Sequence, residues 1–572
     1  MLTIFADGLA VLFEHFYIVL IFFTSVLGAG LLFTNFALRD RVGPPEIHFF
    51  VALSVGSIVL SLASYGLVIL GHFSPTILKF GSFLLLSFFV FVVLRNLWFQ
   101  RNLWVQGSVI FWGIFFFLLL LLRLGFLKHI LLPGYSDSPI HYQIIDGFLH
   151  PNASYSFRYS LDNIFRNYYH FGFHSLTAWL VSVSGTSLTD AISLLGQLFL
   201  ILAPVSMSFL VYVISRDVKG AFFSGLLTAI GWYMPSFAVN WGKFPALAAL
   251  STFPAVLGYL LLLIQGKKQC GKNLVPSFLL VLGLSFLHTR IIILSLLAAI
   301  AYFVSRKMDL ELDIGRVKSI LYSILFAIIL FPLLQPLQYF YAHSAVLFAL
   351  AVLLPFSFQS YPKNTVAVFL FVVALWVVGA LPNFFKFREL LNKEFFEMVL
   401  YIPLSLIGGM GFSGITNKLS RHVAFQKIAY FFFVALVVLP FLQNGAIYPD
   451  SCCDYFQESD ALAFSFLQKE LPENSLVLIS SFKNSKINSG TDAGIWIFPL
   501  LNLPTNNFFY DANWSVPDRV EQICEMGAEH IFIYVGGRVY SFNDERLSQT
   551  EWYELVFRSG KTKIYQLTSC LE

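Results

Sequence analysis

The sequence predicts a polytopic α-helical membrane protein with a small α/β domain at its C-terminal end. Of its 572 residues, 57% are hydrophobic and 12% are charged, and that charged share is roughly half of the ~25% found in a soluble domain. Apolar runs near the ~20 residues that cross a bilayer recur along the chain, and ordinary polarity begins only at about Ile447. The net charge of +4 is small and spread over short loops, which argues against nucleic-acid binding.

The apolar runs predict about 12–14 membrane spans. The predicted spans are 13–35, 47–70, 77–94, 105–126, 187–213, 219–236, 245–265, 274–287, 290–305, 319–338, 343–357, 364–382, 396–414 and 427–443.

Orientation follows from the lysines and arginines of the short loops, which favour the cytoplasmic side. Arg39 and Arg41, Arg95 and Arg101, and similar clusters further along the chain mark one side. With that side inside, the N-terminus, the loop 127–174 and the C-terminal domain lie outside the cytoplasm of a plasma-membrane protein. The number of crossings agrees with these loop assignments only if segment 171–185 does not cross the membrane. We therefore expect a surface or half-inserted helix there. No cleavable signal peptide is expected, because residues 1–12 lack a basic start.

Four regions follow from this organisation. Residues 1–126 form N-terminal transmembrane helices, and residues 127–186 form an extracytoplasmic loop with a juxtamembrane helix. Residues 187–443 form the second helical part, and residues 444–572 form an extracytoplasmic α/β domain. In that domain the segments 461–480 and 520–537 have the pattern of helix–strand units, and a hairpin is expected to turn at Ser559-Gly560. The domain carries neither a GxGxxG nor a P-loop motif, so no nucleotide site is indicated.

Four of the five cysteines lie in the C-terminal part of the chain. Cys452, Cys453, Cys524 and Cys570 would suit one or two disulfides outside the cytoplasm, with the pairing left open. The vicinal pair has no histidine at metal-ligand spacing, so we interpret it as structural.

The loop 127–174 is the longest polar interruption in the first four hundred residues. It places Asp137 and His141 four residues apart, and Asp146 and His150 follow. Pro139 suits the first turn of a helix that Ser136 or Asp137 would cap. Asp137 is therefore either a helix cap or an active-site carboxylate. The many titratable and aromatic residues in the same loop favour the active-site interpretation.

Aromatic and histidine side chains close this loop. The run Asn167–His174 contains Tyr169 and His174 among four aromatic residues and two histidines. It either forms an interfacial belt or lines a sugar-binding cleft.

Cationic residues follow at the predicted outer ends of later spans. Lys243 and the pair His288 and Arg290 have apolar sequence on both sides, where a charge is costly unless it snorkels or finds a partner. A lipid phosphate is one such partner, because arginine can bind it through two parallel hydrogen bonds. A further cluster of Lys386, Arg388 and Lys393 is either a solvated loop or a second phosphate contact.

In the C-terminal domain, Asp492 and Trp496 follow a glycine-containing turn. An indole ring beside a carboxylate suits a carbohydrate platform. The alternative is that Trp496 packs the domain against the membrane part.

These motifs resemble those of the GT-C superfamily of integral-membrane glycosyltransferases. The similar segments are YSDSPIHY, YYHFGFHSLTAWL, WGKFPAL, FLHTR and TDAGIWIFPLLN, and the likeness in architecture covers most of the chain. The resemblance implies a divergent bacterial or archaeal member that transfers a sugar from a polyprenyl-phosphate donor to a glycan, lipid or protein acceptor at the outer face of the membrane. It implies Asp137 as general base with His141 beside it.

Binding of the donor and acceptor would then fall to Lys243, His288, Arg290, Tyr169, His174, Asp146, Asp492 and Trp496. The chain departs from the family pattern in two places. Asp137 and Asp146 are nine residues apart rather than in a tight acidic pair, and YHF-Gly stands where YPP is often found. We therefore expect no metal or other cofactor, although a divalent metal ion stays open as the alternative.

Two other functions remain. A lipid or solute transporter or flippase would show an inverted repeat with broken helices at matched depths, whereas the polar residues here gather on one side. A non-catalytic subunit that keeps a GT-C-like scaffold is the third alternative, and the missing acidic pair supports it.

Overall fold

The fold is that of a helical bundle followed by a small mixed sheet. The computed structural model describes residues 2–37, 44–99, 107–151, 170–265, 274–308, 315–334, 338–341, 343–380, 391–444, 448–472, 474–482, 490–538, 540 and 542–568.

The N-terminal helices, numbered in chain order, are α1 Leu2–Glu14, α2 Phe16–Ala37, α3 Pro45–Ile69, α4 Pro75–Phe99, α5 Gly107–Leu127, α6 Ser138–Leu149 and α7 Gly172–Ser184. The next are α8 Leu188–Ser215, α9 Val218–Leu226, α10 Phe244–Gln265, α11 Leu274–Leu287, α12 Ile291–Lys307, α13 Arg316–Leu334 and α14 Gln338–Tyr341. The bundle closes with α15 Ser344–Ser360, α16 Pro362–Ala380, α17 Lys393–Val399, α18 Tyr401–Lys418 and α19 Val423–Asn444.

Nine helical segments within the described ranges are long and apolar enough to cross a membrane. They are Phe16–Ala37, Pro45–Ile69, Pro75–Arg95, Val109–Leu127, Leu188–Ser215, Phe244–Gln265, Pro362–Gly379, Lys393–Lys418 and Val423–Gln443. Three shorter apolar helices accompany them at Val218–Gly231, Leu274–Leu287 and Ser344–Ser360. The multi-pass helical class is thus confirmed, while the count of 12–14 spans stays a prediction.

Helix α8 forms the centre of the bundle. Almost all of its residues are buried, and α3, α9 and α10 pack around it. Elsewhere small residues let helices approach closely. A Cβ on Gly30 would lie 1.8 Å from the carbonyl oxygen of Ala52, so α2 and α3 meet there backbone to backbone, as small residues allow in membrane helices.

The segment predicted as a surface or half-inserted helix is buried against other helices of the bundle. Helix α7 has 13 residues, fewer than the ~20 that cross a bilayer, as expected for a segment that does not span the membrane. Its polar side chains form hydrogen bonds inside the bundle. Thr177 Oγ1 donates to the Phe173 carbonyl at 2.9 Å, and Ser61 Oγ donates to the Gly172 carbonyl at 2.7 Å.

The span predicted at 219–236 ends earlier. Helix α9 passes into a π-helical turn at Leu227–Gly231, after which the chain leaves the helix. Residues 232–243 then form an irregular connection with a short 3-10 turn at Ser236–Val239. This connection reaches Lys243 and the start of α10.

The C-terminal domain contains helix–strand units and a hairpin, as predicted. Its five strands are ordered β2-β1-β3-β5-β4, with β1 parallel to β2 and β3 and the other pairs antiparallel. The hairpin turns at Gly560, whose φ is +56°, a left-handed conformation that glycine adopts without strain. The elements are α20 Glu458–Glu470, β1 Ser475–Ser481, α21 Ile497–Leu501, β2 Thr505–Phe509, α22 Pro517–Cys524, β3 His530–Val535, β4 Tyr553–Ser559 and β5 Thr562–Leu567.

The segment between α19 and α20 joins the two parts. A disulfide links Cys452 and Cys453, and the Cys453 carbonyl accepts a hydrogen bond of 2.8 Å from the backbone amide of Tyr135. The backbone amide of Asp450 donates to Asn240 Oδ1 at 2.9 Å. Cys524 is also disulfide-bonded, and Cys570 lies outside the described residues.

Candidate functional site

An ion pair joins Asp137 to Lys243. Lys243 Nζ lies 2.6 Å from Asp137 Oδ2, and the side chains are 27% and 31% exposed respectively. Asp137 occupies the N-cap position of α6, and Pro139 lies in the first turn, but the carboxylate makes no capping hydrogen bond. Asp137 thus lies at the predicted N-cap position, but its side chain pairs with the lysine instead of capping the helix.

Gly242 lets the two segments meet. Its φ is +61°, and a Cβ there would lie 2.6 Å from Ser138 Oγ and 2.9 Å from the Gly134 carbonyl oxygen. A side chain would push the connection 232–243 away from the start of α6. Glycine thus allows the close approach that places Lys243 beside Asp137. We call the end of the bundle that carries this contact the loop end.

Neighbouring groups stabilise the protonated, positively charged form of Lys243. Burial lowers its pKa, but the charge and hydrogen bond of Asp137 outweigh that effect and leave the pKa above the usual value. Glu394 raises the same pKa further. Lys243 is therefore a cation that the negative charges of Asp137 and Glu394 both stabilise, since an opposite charge favours the ionised form.

Beneath the ion pair lie two histidines in hydrogen-bond contact. His141 Nδ1 lies 2.9 Å from His174 Nε2, and His141 Nε2 lies 3.1 Å from the carbonyl oxygen of Gly242. A carbonyl only accepts, so His141 Nε2 carries a proton. The pair ties α6, α7 and the 232–243 connection together.

Burial keeps His141 neutral, since it lowers the pKa of this residue to about 4. Burial also lowers the pKa of His174 well below its ordinary value. Both nitrogens of His141 are engaged, so its geometry suits positioning of the acid-bearing helix better than proton transfer.

The second half of the site gathers around Arg290. Its guanidinium donates to Asn392 Oδ1 at 2.8 Å and lies 5.1 Å from the ring centre of Phe395. His288 stacks on the same phenyl ring at 5.3 Å, and its ring centre lies 4.3 Å from that of His170. Arg290 is thus held by an amide and an aromatic face rather than by snorkelling alone.

A polar chain connects the two halves. Asn392 Nδ2 donates to Glu394 Oε2 at 2.6 Å, and Glu394 acts electrostatically on Lys243. After burial, which is the largest cause, the charges of Arg290 and Lys243 both lower the pKa of His288. The structure therefore brings together Asp137, His141, His174, Lys243, His288 and Arg290, which were predicted from distant parts of the sequence.

Other predicted residues lie apart from this cluster. Asp146 pairs with His150 at 2.9 Å toward the far end of α6, about 13 Å along the helix from Asp137 at 1.5 Å per residue. Lys393 lies 3.7 Å from Glu397 and is largely exposed. Tyr169, Lys386 and Arg388 lie outside the described residues.

The predicted carbohydrate platform in the C-terminal domain does not form. Asp492 is fully buried and Trp496 is 1% exposed, whereas stacking on a sugar needs an open ring. Asp492 accepts hydrogen bonds from the backbone amides of Gly494 and Gly536, each at 2.9 Å. Trp496 meets Tyr142 of α6 edge to face at 5.9 Å, which supports the packing alternative.

Sequence reasoning missed several members of the site. Asn392 and Glu394 start the long span Lys393–Lys418, and Asn392 Oδ1 also caps its first turn through the Phe395 amide at 3.2 Å. An asparagine before a helical run is a recognisable cap signal. No local signal pairs it with Arg290, because 102 residues separate them. His170 was seen only as part of an aromatic run.

An apolar cavity lies deeper in the bundle. It lies among α8, α10, α12, α16 and α18, with Phe253, Leu257, Ser295 and Phe371 on its walls. Ser295 lies five residues after Arg290, about 7.5 Å along α12. Within the described ranges, no three His, Cys, Asp or Glu side chains come together as a metal site.

Comparison with known proteins gives one family match. Residues 52–384 match a family described as "Family of unknown function (DUF6541)". The matched part begins within α3 and includes Asp137, Lys243 and Arg290, but it stops before the C-terminal domain. A search of curated proteins finds no match. Since the family match spans more than half of the chain, this protein belongs to the DUF6541 family.

Proposed function

We propose that this protein is a membrane glycosyltransferase that moves a sugar from a polyprenyl-phosphate donor to an acceptor hydroxyl. The observation that carries the proposal is the half-open Asp137–Lys243 ion pair, which has the cation Arg290 in the same electrostatic cluster. A carboxylate beside fixed cations suits a reaction that removes a proton and releases a phosphate.

Asp137 acts as the general base. One of its oxygens is bonded to Lys243, and the partly exposed side chain leaves the other oxygen for an acceptor hydroxyl. As the acceptor oxygen attacks the anomeric carbon, Asp137 takes the hydroxyl proton. The bond from that carbon to the phosphate oxygen breaks, and the phosphate leaves with the bonding electrons.

The cations stabilise the charge on the leaving phosphate. Lys243 and Arg290 are fixed by Asp137, Asn392 and Phe395, so little reorganisation is needed as charge develops. The apolar cavity that begins near Ser295 suits part of the isoprenoid chain of the donor. Its walls offer hydrocarbon contact from Ser295 onward along α12.

Loss of the carboxylate is the decisive test. Purified protein in lipid nanodiscs is given polyprenyl-phosphate mannose or polyprenyl-phosphate glucose with a mixture of glycan and lipid acceptors, and release of polyprenyl phosphate is measured. The Asp137→Asn variant should react about 10²–10⁴-fold more slowly, the usual contribution of a general base. Its thermal unfolding midpoint should stay near that of the wild type, because the side chain is partly exposed.

Asp146→Asn is the matched control, since it removes a carboxylate that pairs with an exposed histidine outside the cluster, and its rate should stay near wild type. Undiminished turnover by a folded Asp137→Asn protein would overturn the proposal. Uptake of a labelled solute into proteoliposomes, with no release of polyprenyl phosphate, would favour a transporter instead.

A further inference from the structure

Arg123 is a buried cation in the interior of the bundle. It lies on α5 within the apolar segment Val109–Leu127 and is 4% exposed. One terminal nitrogen donates to the carbonyl oxygen of Ala229 at 2.5 Å, and Nε has no hydrogen-bond partner. Among the described residues, no carboxylate lies within ion-pair distance of its guanidinium.

The contact with Ala229 compensates only part of this charge. The guanidinium stays protonated in proteins and has five N–H donors. Ala229 belongs to the π-helical turn that ends at Gly231, and the end of a helix carries only about half of a negative charge. A buried arginine in an apolar span is therefore expected to serve a function with a further partner.

A small cavity with a mainly apolar surface adjoins the guanidinium. Its polar lining includes Arg123, Tyr233, Ser236 and His343. Tyr233 and His343 lie with ring centres 4.8 Å apart. Groups able to donate hydrogen bonds thus line part of a space beside a cation that has no ion-pair partner among the described residues, and such a space favours an oxyanion over a neutral ligand.

The location of the cavity indicates where such an anion comes from. Arg123 lies four residues before the end of α5, about 6 Å from that end, at the depth of the headgroup region if α5 spans the bilayer. Phe441 of α19 forms one wall, and only 11% of the apolar segment of α19 is buried against the rest of the chain. This wall of the cavity therefore borders the membrane side of the bundle.

We propose that this cavity binds the phosphate group of an anionic membrane lipid, with Arg123 as its principal ligand. The fork of the guanidinium matches two phosphate oxygens. The hydroxyls of Ser236 and Tyr233 can donate to the remaining oxygens. This site is separate from the Asp137 cluster and does not depend on the proposed transfer reaction.

Lipid binding by the full-length protein tests the proposal. The protein in detergent is titrated with phosphatidylglycerol, with diacylglycerol or with inorganic phosphate. Bound ligand is counted by native mass spectrometry, and the rise in thermal unfolding midpoint gives the apparent affinity. Phosphatidylglycerol should bind and stabilise the wild type, whereas diacylglycerol should not.

Two variants address the site separately. Arg123→Gln should weaken phosphatidylglycerol binding roughly tenfold to a hundredfold, the cost of lost hydrogen bonds to a charged group. Ser236→Phe fills the cavity while keeping the arginine, so it tests the site even if Arg123→Gln does not fold. Arg216→Gln is the matched control, because Arg216 is exposed and bonds to Gln265 at 3.2 Å.

Each outcome supports or overturns lipid binding at the Arg123 cavity. Weaker binding in Arg123→Gln and Ser236→Phe, with unchanged binding in Arg216→Gln, supports the lipid site. Equal, Arg123-dependent stabilisation by inorganic phosphate alone supports the oxyanion site but overturns the lipid as its source. Wild-type binding by Ser236→Phe and by folded Arg123→Gln overturns the site itself. None of these results depends on whether Asp137→Asn retains transfer activity.

Discussion

Two polar centres in this molecule each contain aspartate and differ in how completely they are closed. In the C-terminal domain, Asp460 and Asp492 are fully buried, and we call them the acid centre. Asp460 accepts from the hydroxyls of Tyr534 at 2.6 Å and Thr562 at 2.8 Å, and from the backbone amide of Gln457 at 2.9 Å. At the loop end, by contrast, Asp137 and Lys243 are each about 30% exposed.

The difference separates a structural role from a chemical one. In the acid centre, hydroxyl and backbone donors surround each carboxylate, so that buried charge is satisfied inside the domain. At the loop end, the Asp137–Lys243 pair remains partly exposed to solvent, and further cations lie nearby. The acid centre therefore stabilises the sheet domain, while the charged groups at the loop end can bind a substrate in place of one another.

The largest expected effect is on the acid centre. Asp460→Ala leaves the buried donors of Tyr534, Thr562 and Gln457 without this acceptor. Each buried donor left unsatisfied costs about 1–3 kcal/mol, so the domain should lose at least about 3 kcal/mol of stability. Hydrogen exchange of the β1 and β3 amides in the full-length protein measures this loss. Asp518→Ala is the control, because Asp518 is exposed in the first turn of α22. Equal exchange in both variants would contradict the comparison.

The second effect is a pH dependence within the same centre. Burial raises the pKa of Asp492 to about 7, above the ~3.9 expected in the unfolded chain. The folded state thus binds the proton more tightly, so stability is highest below about pH 4 and declines as pH rises toward 7.

The difference between the pKa of Asp492 in the folded protein and in the unfolded chain corresponds to at most roughly 4 kcal/mol in the free energy of unfolding. Thermal unfolding at pH 5 and pH 8 should show the wild type losing stability relative to Asp492→Asn. A difference between the two proteins that does not change with pH would show that Asp492 titrates in the same way when folded and unfolded.

The smallest stability effect is expected at the loop end. Lys243→Met removes a partly exposed ion pair, which typically contributes about 0–1 kcal/mol, so the unfolding midpoint should hardly move. Release of polyprenyl phosphate should nevertheless fall at least tenfold, since the leaving phosphate loses a fixed cation. Lys393→Met is the control, because its exposed pair with Glu397 lies outside the Asp137 contact. A large loss of stability with normal turnover would reverse the roles of the two centres.

Local features were predictable from the sequence, and spatial partners largely were not. The apolar runs predicted most of the helices, Pro139 predicted the first turn of α6, and Ser559-Gly560 predicted the hairpin. The burial of α7 was not predictable, because its partners such as Ser61 lie 111 residues away.

The site shows the same limit. Asp137, Lys243 and Arg290 were selected as charges with unusual surroundings, and that reasoning located the residues. It did not give the pairing of Asp137 with Lys243 across 106 residues, nor that of Arg290 with Asn392. Such contacts depend on which helices become neighbours, and hydrophobic periodicity does not encode that choice. Glu394 belongs to no sequence motif, and only its electrostatic effect on Lys243 and its hydrogen bond to Asn392 connect it with the site.

The disulfide between Cys452 and Cys453 has a consequence for how the loop end is maintained. A cross-link between distant residues stabilises a fold mainly by limiting the freedom of the unfolded chain, and this gain grows with the length of the enclosed loop. Adjacent cysteines enclose almost no chain, so this bond contributes little of that kind. It instead stiffens the turn whose Cys453 carbonyl holds the Tyr135 amide, two residues from Asp137. Reducing conditions should therefore alter the shape around Asp137 while leaving the bundle folded.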